Sequence, residues 1–413
     1  IGVLVWYFFF STPNKADTLS TTNNPLSVNQ TPPRFNFITK YFSGERNEET
    51  TTEVTSVNEL PLVKIWDKPT SGPTFISLPI IREVFSTSTA SSTLIAKKSV
   101  RATTTVLMFV DKISGHIYGH NIESGNTYQI SNTTFAGVKD AYIFSGGKKI
   151  LLRYLDTNRE TILSLLANIP NVGETGNAQP LEEITTLSKN ISSVSVSASS
   201  NKLSYLVPNS LGSSIYTINA KGQSLTSSSP FSEWSISYGG ENLYATSKPS
   251  AYVEGATVSI PSYSRLVGGK TGLTSNPSSS GSFINSMWSN KGLLTFLFSE
   301  TGETRVLSTK TLAEKCAWDR SPFLLCAVPD SLPLATEGYP DDWYQGRVSF
   351  SDSLFLLDNK TGKPYPFFTF DKDMAPVDVE KLVSINDFQY VSFIKKQDET
   401  LWLLKPQFFE SEE

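Results

Sequence analysis

Phe144-Ser145-Gly146-Gly147-Lys148-Lys149-Ile150-Leu151-Leu152 is the stretch on which the reading of this chain turns. A hydrophobic segment stops at a Ser/Gly/Lys turn, and a second hydrophobic segment follows at once. Gly and Ser supply turn conformations, while the aromatic and β-branched residues on either side favour a pleated, half-buried backbone. The phrase recurs as Ala198-Ser199-Ser200-Asn201-Lys202-Leu203-Ser204-Tyr205 and as Ile236-Ser237-Tyr238-Gly239-Gly240-Glu241-Asn242-Leu243-Tyr244. Trp288-Ser289-Asn290-Lys291-Gly292-Leu293-Leu294-Thr295-Phe296, Trp318-Asp319-Arg320-Ser321-Pro322-Phe323-Leu324-Leu325 and Ile385-Asn386-Asp387-Phe388-Gln389-Tyr390-Val391 complete the series.

After each pair a further strand is expected, at residues 214–218, 303–307, 353–358 and 400–404, with 116–122, 161–166 and 256–260 in the same slot. Seven such strands give a period of about 48 residues, in the range of four-stranded propeller blades. No 3.6-residue apolar period runs through the chain, which excludes a helical solenoid. The expected fold is therefore all-β: a β-propeller of seven blades of four antiparallel strands, with six and eight blades also compatible with the period. After Leu404 only nine residues remain, too polar for a good fourth strand. Leu62-Val63-Lys64-Ile65-Trp66 resembles the outer-strand slot that Leu181-Glu182-Glu183-Ile184-Thr185 fills elsewhere. The N-terminal strand is thus expected to pair beside residues 401–404 and close the ring, which also covers edges that would otherwise template aggregation.

Composition agrees. The 413 residues are 38% hydrophobic, 12% aromatic and only 18% charged, with a net charge of −4 and no run of Lys or Arg longer than two. Phosphate backbones need a basic footprint, so a nucleic-acid partner is not expected. Residues 1–10, IGVLVWYFFF, are apolar throughout and would span about 15 Å as a helix, half of a bilayer core. They read as part of a transmembrane helix, with Trp6 and Tyr7 at the outer interface and a Lys/Arg-poor flank placing the following chain outside the cell. Residues 11–59 form a Ser/Thr/Asn/Pro-rich stalk, 60–405 the propeller and 406–413 an acidic tail. A flexible stalk of that length reaches on the order of 40 Å. Within it, Phe35, Phe37, Ile38, Tyr41 and Phe42 form an apolar patch suited to docking.

Ser114-Gly115-His116-Ile117-Tyr118, Ile130-Ser131-Asn132-Thr133-Thr134, Leu151-Leu152-Arg153-Tyr154-Leu155-Asp156, Cys326-Ala327-Val328-Pro329 and Tyr339-Pro340-Asp341-Asp342-Trp343-Tyr344-Gln345-Gly346 together resemble membrane-anchored WD40-like and TolB-type β-propeller proteins of candidate-phyla bacteria. The resemblance spans residues 60–405 and implies a fold and a location but no activity. The Trp-Asp pairs Trp66-Asp67 and Trp318-Asp319 do not recur at a regular blade position, unlike those of true WD40 repeats.

No catalytic constellation stands out. Cys316 and Cys326 flank a turn and fit a disulfide across adjacent strands in an oxidising compartment, against the alternative of two small buried hydrophobes. His116 and His120, the only histidines, lie about 13 Å apart on an extended strand, too far to share a metal ion. Gly269-Lys270-Thr271 lacks the preceding glycine of a phosphate-binding loop, with Ser264 in its place. The richest segment is 329–348, an insertion within one blade holding Tyr339, Asp341, Asp342, Trp343 and Tyr344. Aromatics beside carboxylates suit a glycan, peptide or cation, and adjacent acids offer weak calcium ligation. The alternative is a structural loop packed over the blade, and the two readings separate on whether Trp343 and Asp342 can be removed without loss of stability. The expected function is non-catalytic binding or scaffolding of a protein or glycan partner, tethered to the cell membrane. The alternative is a propeller-based hydrolase or lyase acting on a cell-envelope glycan or peptide, which a cluster of carboxylates, Arg or Tyr at the funnel end would favour.

Overall fold

The computed structural model describes residues 62–86, 96–158, 160–197, 201–299, 301–319, 322–371, 374 and 376–405. The expected membrane segment, stalk and acidic tail lie outside them. Among the described residues no helix is long and apolar enough to cross a membrane.

Seven four-stranded antiparallel sheets form the blades. Blade 1 is Thr70–Ser86, Ala96–Asp111, Ile117–Asn121 and Thr127–Ser131. Blade 2 is Val138–Phe144, Lys149–Leu155, Ile162–Asn168 and Glu182–Thr186, and blade 3 is Ser193–Val196, Leu203–Asn209, Gly212–Asn219 and Gly222–Ser229. Blade 4 runs Trp234–Gly239, Asn242–Ser247, Glu254–Ile260, Arg265–Thr271, and blade 5 Thr274–Pro277, Phe283–Ser289, Gly292–Phe298, Thr304–Val306. Blade 6 is Cys316–Trp318, Phe323–Pro329, Asp352–Asp358 and Pro364–Thr369. Blade 7 takes Val379–Ile385, Tyr390–Lys395 and Thr400–Leu404 from the C-terminus and Leu62–Trp66 from the N-terminus. Seven blades and N-terminal closure both match the sequence reading.

The first strands of neighbouring blades lie against one another around the axis. The fourth strands form the rim, where Glu182–Thr186 and Thr304–Val306 are exposed along their whole length. Because each blade is an antiparallel meander, its first-to-second and third-to-fourth turns lie on one face, the lower. The second-to-third turns and the blade-to-blade connections lie on the other, the upper.

Each junction between blades has its own apolar cluster. Val106, Met108 and Ile117 meet Ile143 and Leu152 between blades 1 and 2. Leu325, Leu354 and Leu356 meet Val379, Val391 and Phe393 between blades 6 and 7. Leu107, Phe109 and Ile122 of blade 1 meet Ile394, Leu401 and Leu403 of blade 7, so the chain of contacts returns to its start. The alternating side chains of a strand thus bury on both faces, at about 25 cal/mol per Å² of apolar surface.

Two expectations shift by one strand in blade 5. The turn at Ser289-Asn290-Lys291 joins its second and third strands, not its first and second, and residues 303–307 cover the fourth strand, not the third. The cause is the first strand, Thr274-Ser275-Asn276-Pro277, which has no aliphatic side chain. It is held by polar contacts instead: Asn276 Nδ2 donates to the carbonyls of Ala313 (3.2 Å) and Cys316 (2.7 Å), and Thr274 Oγ1 lies 2.6 Å from Ser286 Oγ.

A second turn signature passed unread. Asp111, Asn121 and Asp358 each accept with Oδ1 from the backbone N–H groups two and three residues on, and a glycine follows at Gly115, Gly125 and Gly362. At Gly115 φ is +77°, and a Cβ would meet the Phe135 carbonyl oxygen at 2.5 Å, so only glycine fits.

Blade 1 departs from the others. Its first two strands are 17 and 16 residues long, yet the third strand covers only Val106 to Val110 of the second. Their ladder continues from Ser77↔Thr105 to Ser86↔Ala96. The result is a two-stranded arm projecting about 33 Å from the lower face.

Closure rests on the pairs Leu62↔Leu404, Val63↔Leu403 and Lys64↔Trp402, with the Lys64 ammonium 5.0 Å from the Trp402 ring centroid. Deleting residues 60–67 is expected to lower the melting temperature of the whole propeller in a single cooperative step. A truncated chain that melts like the full one contradicts closure.

Candidate functional site

Cys316 and Cys326 face each other directly in the register of blade 6 and are bridged, with S–S 2.06 Å and Cα–Cα 4.0 Å. His116 and His120 sit in or beside the third strand of blade 1. The first contacts Thr134 Oγ1 (3.0 Å) and Gln129 Nε2 (3.1 Å), the second Thr127 Oγ1 (2.9 Å). Burial lowers the His120 pKa to about 4, so it is neutral at physiological pH. Among the described residues no three His, Cys, Asp or Glu side chains converge as a metal site needs. Gly269, Lys270 and Thr271 lie in the fourth strand of blade 4, with no helix after them.

The insertion of blade 6 is the second-to-third connection and lies on the upper face. A single helical turn, Asp341–Tyr344, follows Pro340. Tyr339, Trp343 and Phe350 form an apolar cluster with Leu293 and Leu312, and the first three are at most 3% exposed. Tyr339 donates its hydroxyl to the Pro333 carbonyl at 2.7 Å, and burial pushes its pKa up to about 12. Asp342 is fully buried. Its oxygens accept from the N–H groups of Glu337 (2.9 Å) and Gly338 (3.2 Å) and from Arg347 (3.3 Å). Loss of water works against this charge, but those donors prevail and hold its pKa below the usual carboxylate value. Asp341 Oδ2 accepts the Ala251 N–H of blade 4 at 2.6 Å. N–H donors therefore occupy both carboxylates, and the pair does not fit a calcium ion. Of the five residues, only Tyr344 is well exposed, at 44%.

Beneath the insertion lies a buried charge cluster. A 3-10 turn, Ala313–Lys315, connects blade 5 to blade 6. The fully buried Lys315 ammonium lies 2.5 Å from Asp378 Oδ1, 2.8 Å from Asp352 Oδ2 and 2.9 Å from the Val379 carbonyl. Asp378 also accepts from Trp343 Nε1 (2.9 Å) and the Phe350 N–H (3.0 Å). Its charge is thus met from three segments, as a buried ion requires. Asp352 Oδ2 takes the Val379 N–H at 2.7 Å, while its Oδ1 has no partner. Burial raises the Asp352 pKa to about 6, against the pull of Lys315.

The residue before Lys315 turns the other way. Glu314 keeps exposed surface and accepts a 2.5 Å hydrogen bond from the Tyr344 hydroxyl. Lys381, at φ +50° beside the bulge in the first strand of blade 7, is likewise exposed. Protein nonetheless crowds both, and Tyr142 of the first strand of blade 2 as well. Side chains that touch solvent yet are surrounded by protein line a narrow wet passage, and first-strand positions place it on the axis.

Around it stand Glu314, Tyr344, Glu380, Lys381, Lys396, Asp140 and Tyr142, within electrostatic reach of one another. Stripping of water pushes the Glu314 carboxyl up, partly offset by the Tyr344 hydrogen bond. The same loss of water, together with Glu314, drives the Tyr344 phenol well above its ordinary value. For Lys381, desolvation is outweighed by Tyr142, Asp140, Glu314 and Glu380, which raise its pKa. Lys396 is 3.3 Å from the Trp343 ring centroid, donates to the Trp343 carbonyl at 2.6 Å and lies 3.7 Å from Glu380. Desolvation lowers its pKa. Sequence reading found Tyr344 alone of this group, because the others come from distant segments and share no local motif.

No protein-family model matches the chain, and no curated protein matches it. Solved structures do. The β-propeller domain of Cps50 (Swd1) from Myceliophteria thermophila aligns at 7% identity over 73% of this chain and 94% of that one, with a TM-score of 0.43. The β-propeller domain of the Trilobed protease from Pyrococcus furiosus, described as having an open velcro topology, aligns at 10% identity over 74% and 92%, TM-score 0.46. Pyrococcus horikoshii acylaminoacyl peptidase aligns at 9% identity over 80% of this chain and 59% of that one, TM-score 0.45. The likeness is to the propeller fold, and it does not bear on candidate-phyla ancestry, membrane attachment or activity.

Trp343→Ala is expected to cost about 3–5 kcal/mol in chemical denaturation, since it opens a cavity and strips Asp378 of a donor. Tyr344→Phe, at an exposed hydroxyl, is expected to cost less than about 1 kcal/mol. The Asp352 carboxyl has a folded pKa above its unfolded one, so its contribution favours folding below about pH 4 and is lost as pH rises through about 6. The stability of the native chain relative to Asp352→Asn should therefore fall across that window. A pH-independent difference between the two refutes the assignment.

Proposed function

We propose that this chain is a non-catalytic ligand-binding propeller, held outside the cell by its N-terminal apolar segment, whose binding site is the upper mouth of the axial passage. The observation that carries the reading is the convergence there of Glu314, Tyr344, Lys381 and Tyr142 from four separate segments. A packed structural core has no use for an ammonium and a carboxylate that keep contact with water in a confined space. Concave sites with a few convergent polar groups are where ligands bind. The Cys316–Cys326 bridge supports an oxidising, extracytoplasmic setting.

A second reading, hydrolysis or elimination on an envelope glycan or peptide, is favoured by one feature. Glu314 has a raised pKa and a phenol 2.5 Å away, a pairing suited to general acid work. Binding is the stronger reading because the acids of the mouth are engaged by protein partners.

The test is a screen of envelope glycans and peptides against the full chain and a Glu314→Gln/Lys381→Met variant. Binding by the first and not the second is the expected result, with the ligand recovered unchanged. Equal binding by both moves the site elsewhere, and product formation makes the protein an enzyme.

A further inference from the structure

Resting on the axial mouth as the binding site, we infer that its ligand is a small monocarboxylate bearing a hydrogen-bond donor next to the carboxylate, with Lys381 as counter-ion and Glu314 as acceptor. The argument is one of pairing. Three acids and three cations stand in or beside the mouth. Asp140 is taken by Arg153 at 2.9 Å, Glu380 by Lys396 at 3.7 Å, and Glu314 by the Tyr344 hydroxyl at 2.5 Å. Lys381 alone of the three cations has no hydrogen bond or ion pair, although its surroundings keep it charged. A charge held in a confined passage without a contact partner is costly unless a ligand supplies one.

The same neighbours set the ligand's charge. Asp140, Glu314 and Glu380 all act on Lys381 through space. A dianion such as inorganic phosphate would gain one ammonium and meet three carboxylates, whereas a single carboxylate gains the ammonium at a lower repulsive cost. Glu314 Oε1 faces the Tyr344 hydroxyl, and a carboxylate has further acceptor sites, so the ligand's hydroxyl or ammonium can be received there. The Tyr344 and Tyr142 rings leave room for a short carbon skeleton between these two ends. α-Hydroxy acids, α-amino acids and the acid end of a peptide or sugar acid share this chemistry.

L-lactate, propane-1,2-diol and inorganic phosphate are the probes, titrated against the full chain and followed by calorimetry and saturation-transfer NMR. Lactate should bind saturably, and the diol and phosphate should bind about tenfold more weakly or worse. Lys381→Met should weaken lactate by a similar factor with the melting temperature unchanged, and Lys381→Arg should restore it. Phosphate binding tighter than lactate overturns the proposal, as does lactate binding that survives Lys381→Met or is absent up to tens of millimolar. Diol binding equal to lactate and lost in Glu314→Gln overturns the carboxylate assignment alone and leaves the mouth as the site.

Discussion

A β-sheet with apolar side chains on both faces is stable only between two others, and every choice in this chain follows from that constraint. A row of such sheets has two exposed ends, and a ring has none. The ring exists because Leu62–Trp66 gives blade 7 its rim strand, which joins the two ends of the propeller in one sheet. The cluster of Phe109, Ile122, Leu401 and Leu403 then completes the circuit of inter-blade packing. Curvature forces the first strands together at the centre, and the confined passage at the axis is the geometric remainder of that packing.

The blade pattern was legible because strand-turn-strand phrases are local, and the physics that specifies them acts within ten residues. Phe144 to Leu152 carries its own turn chemistry. The first strand of blade 5 was not legible, since Thr274, Ser275 and Asn276 are ordered by hydrogen bonds to distant segments and by no apolar period. The axial mouth was hidden for the same reason. Glu314, Lys381 and Tyr142 are unremarkable where they stand in the chain and become a site only when blades 2, 6 and 7 converge. Asp342 and Trp343 were conspicuous in sequence as a carboxylate beside an aromatic, yet their polar atoms are consumed by Gly338, Arg347 and Asp378.

The insertion and the mouth therefore divide the labour of the upper face. Trp343 covers the Lys315–Asp378 pair and is locked from below, and the helical turn that holds it delivers Tyr344 to the passage. Rigid burial on one side of a four-residue turn fixes the aim of the hydroxyl on the other. Polar groups in such a site are useful only when their positions are set before the ligand arrives.

The arm of blade 1 gives the molecule an electrical polarity. The whole chain has a net charge of −4, while residues 77–105 contain Arg82, Lys97, Lys98 and Arg101 against Glu83 alone. The rest of the protein is thus more negative than the total, and the compensating positive charge extends about 33 Å beyond one face. That distance exceeds the roughly 8 Å screening length of physiological salt, so the two ends are felt separately. Near any charged boundary the molecule experiences a torque that turns the arm toward negative charge and the passage, on the opposite face, away from it.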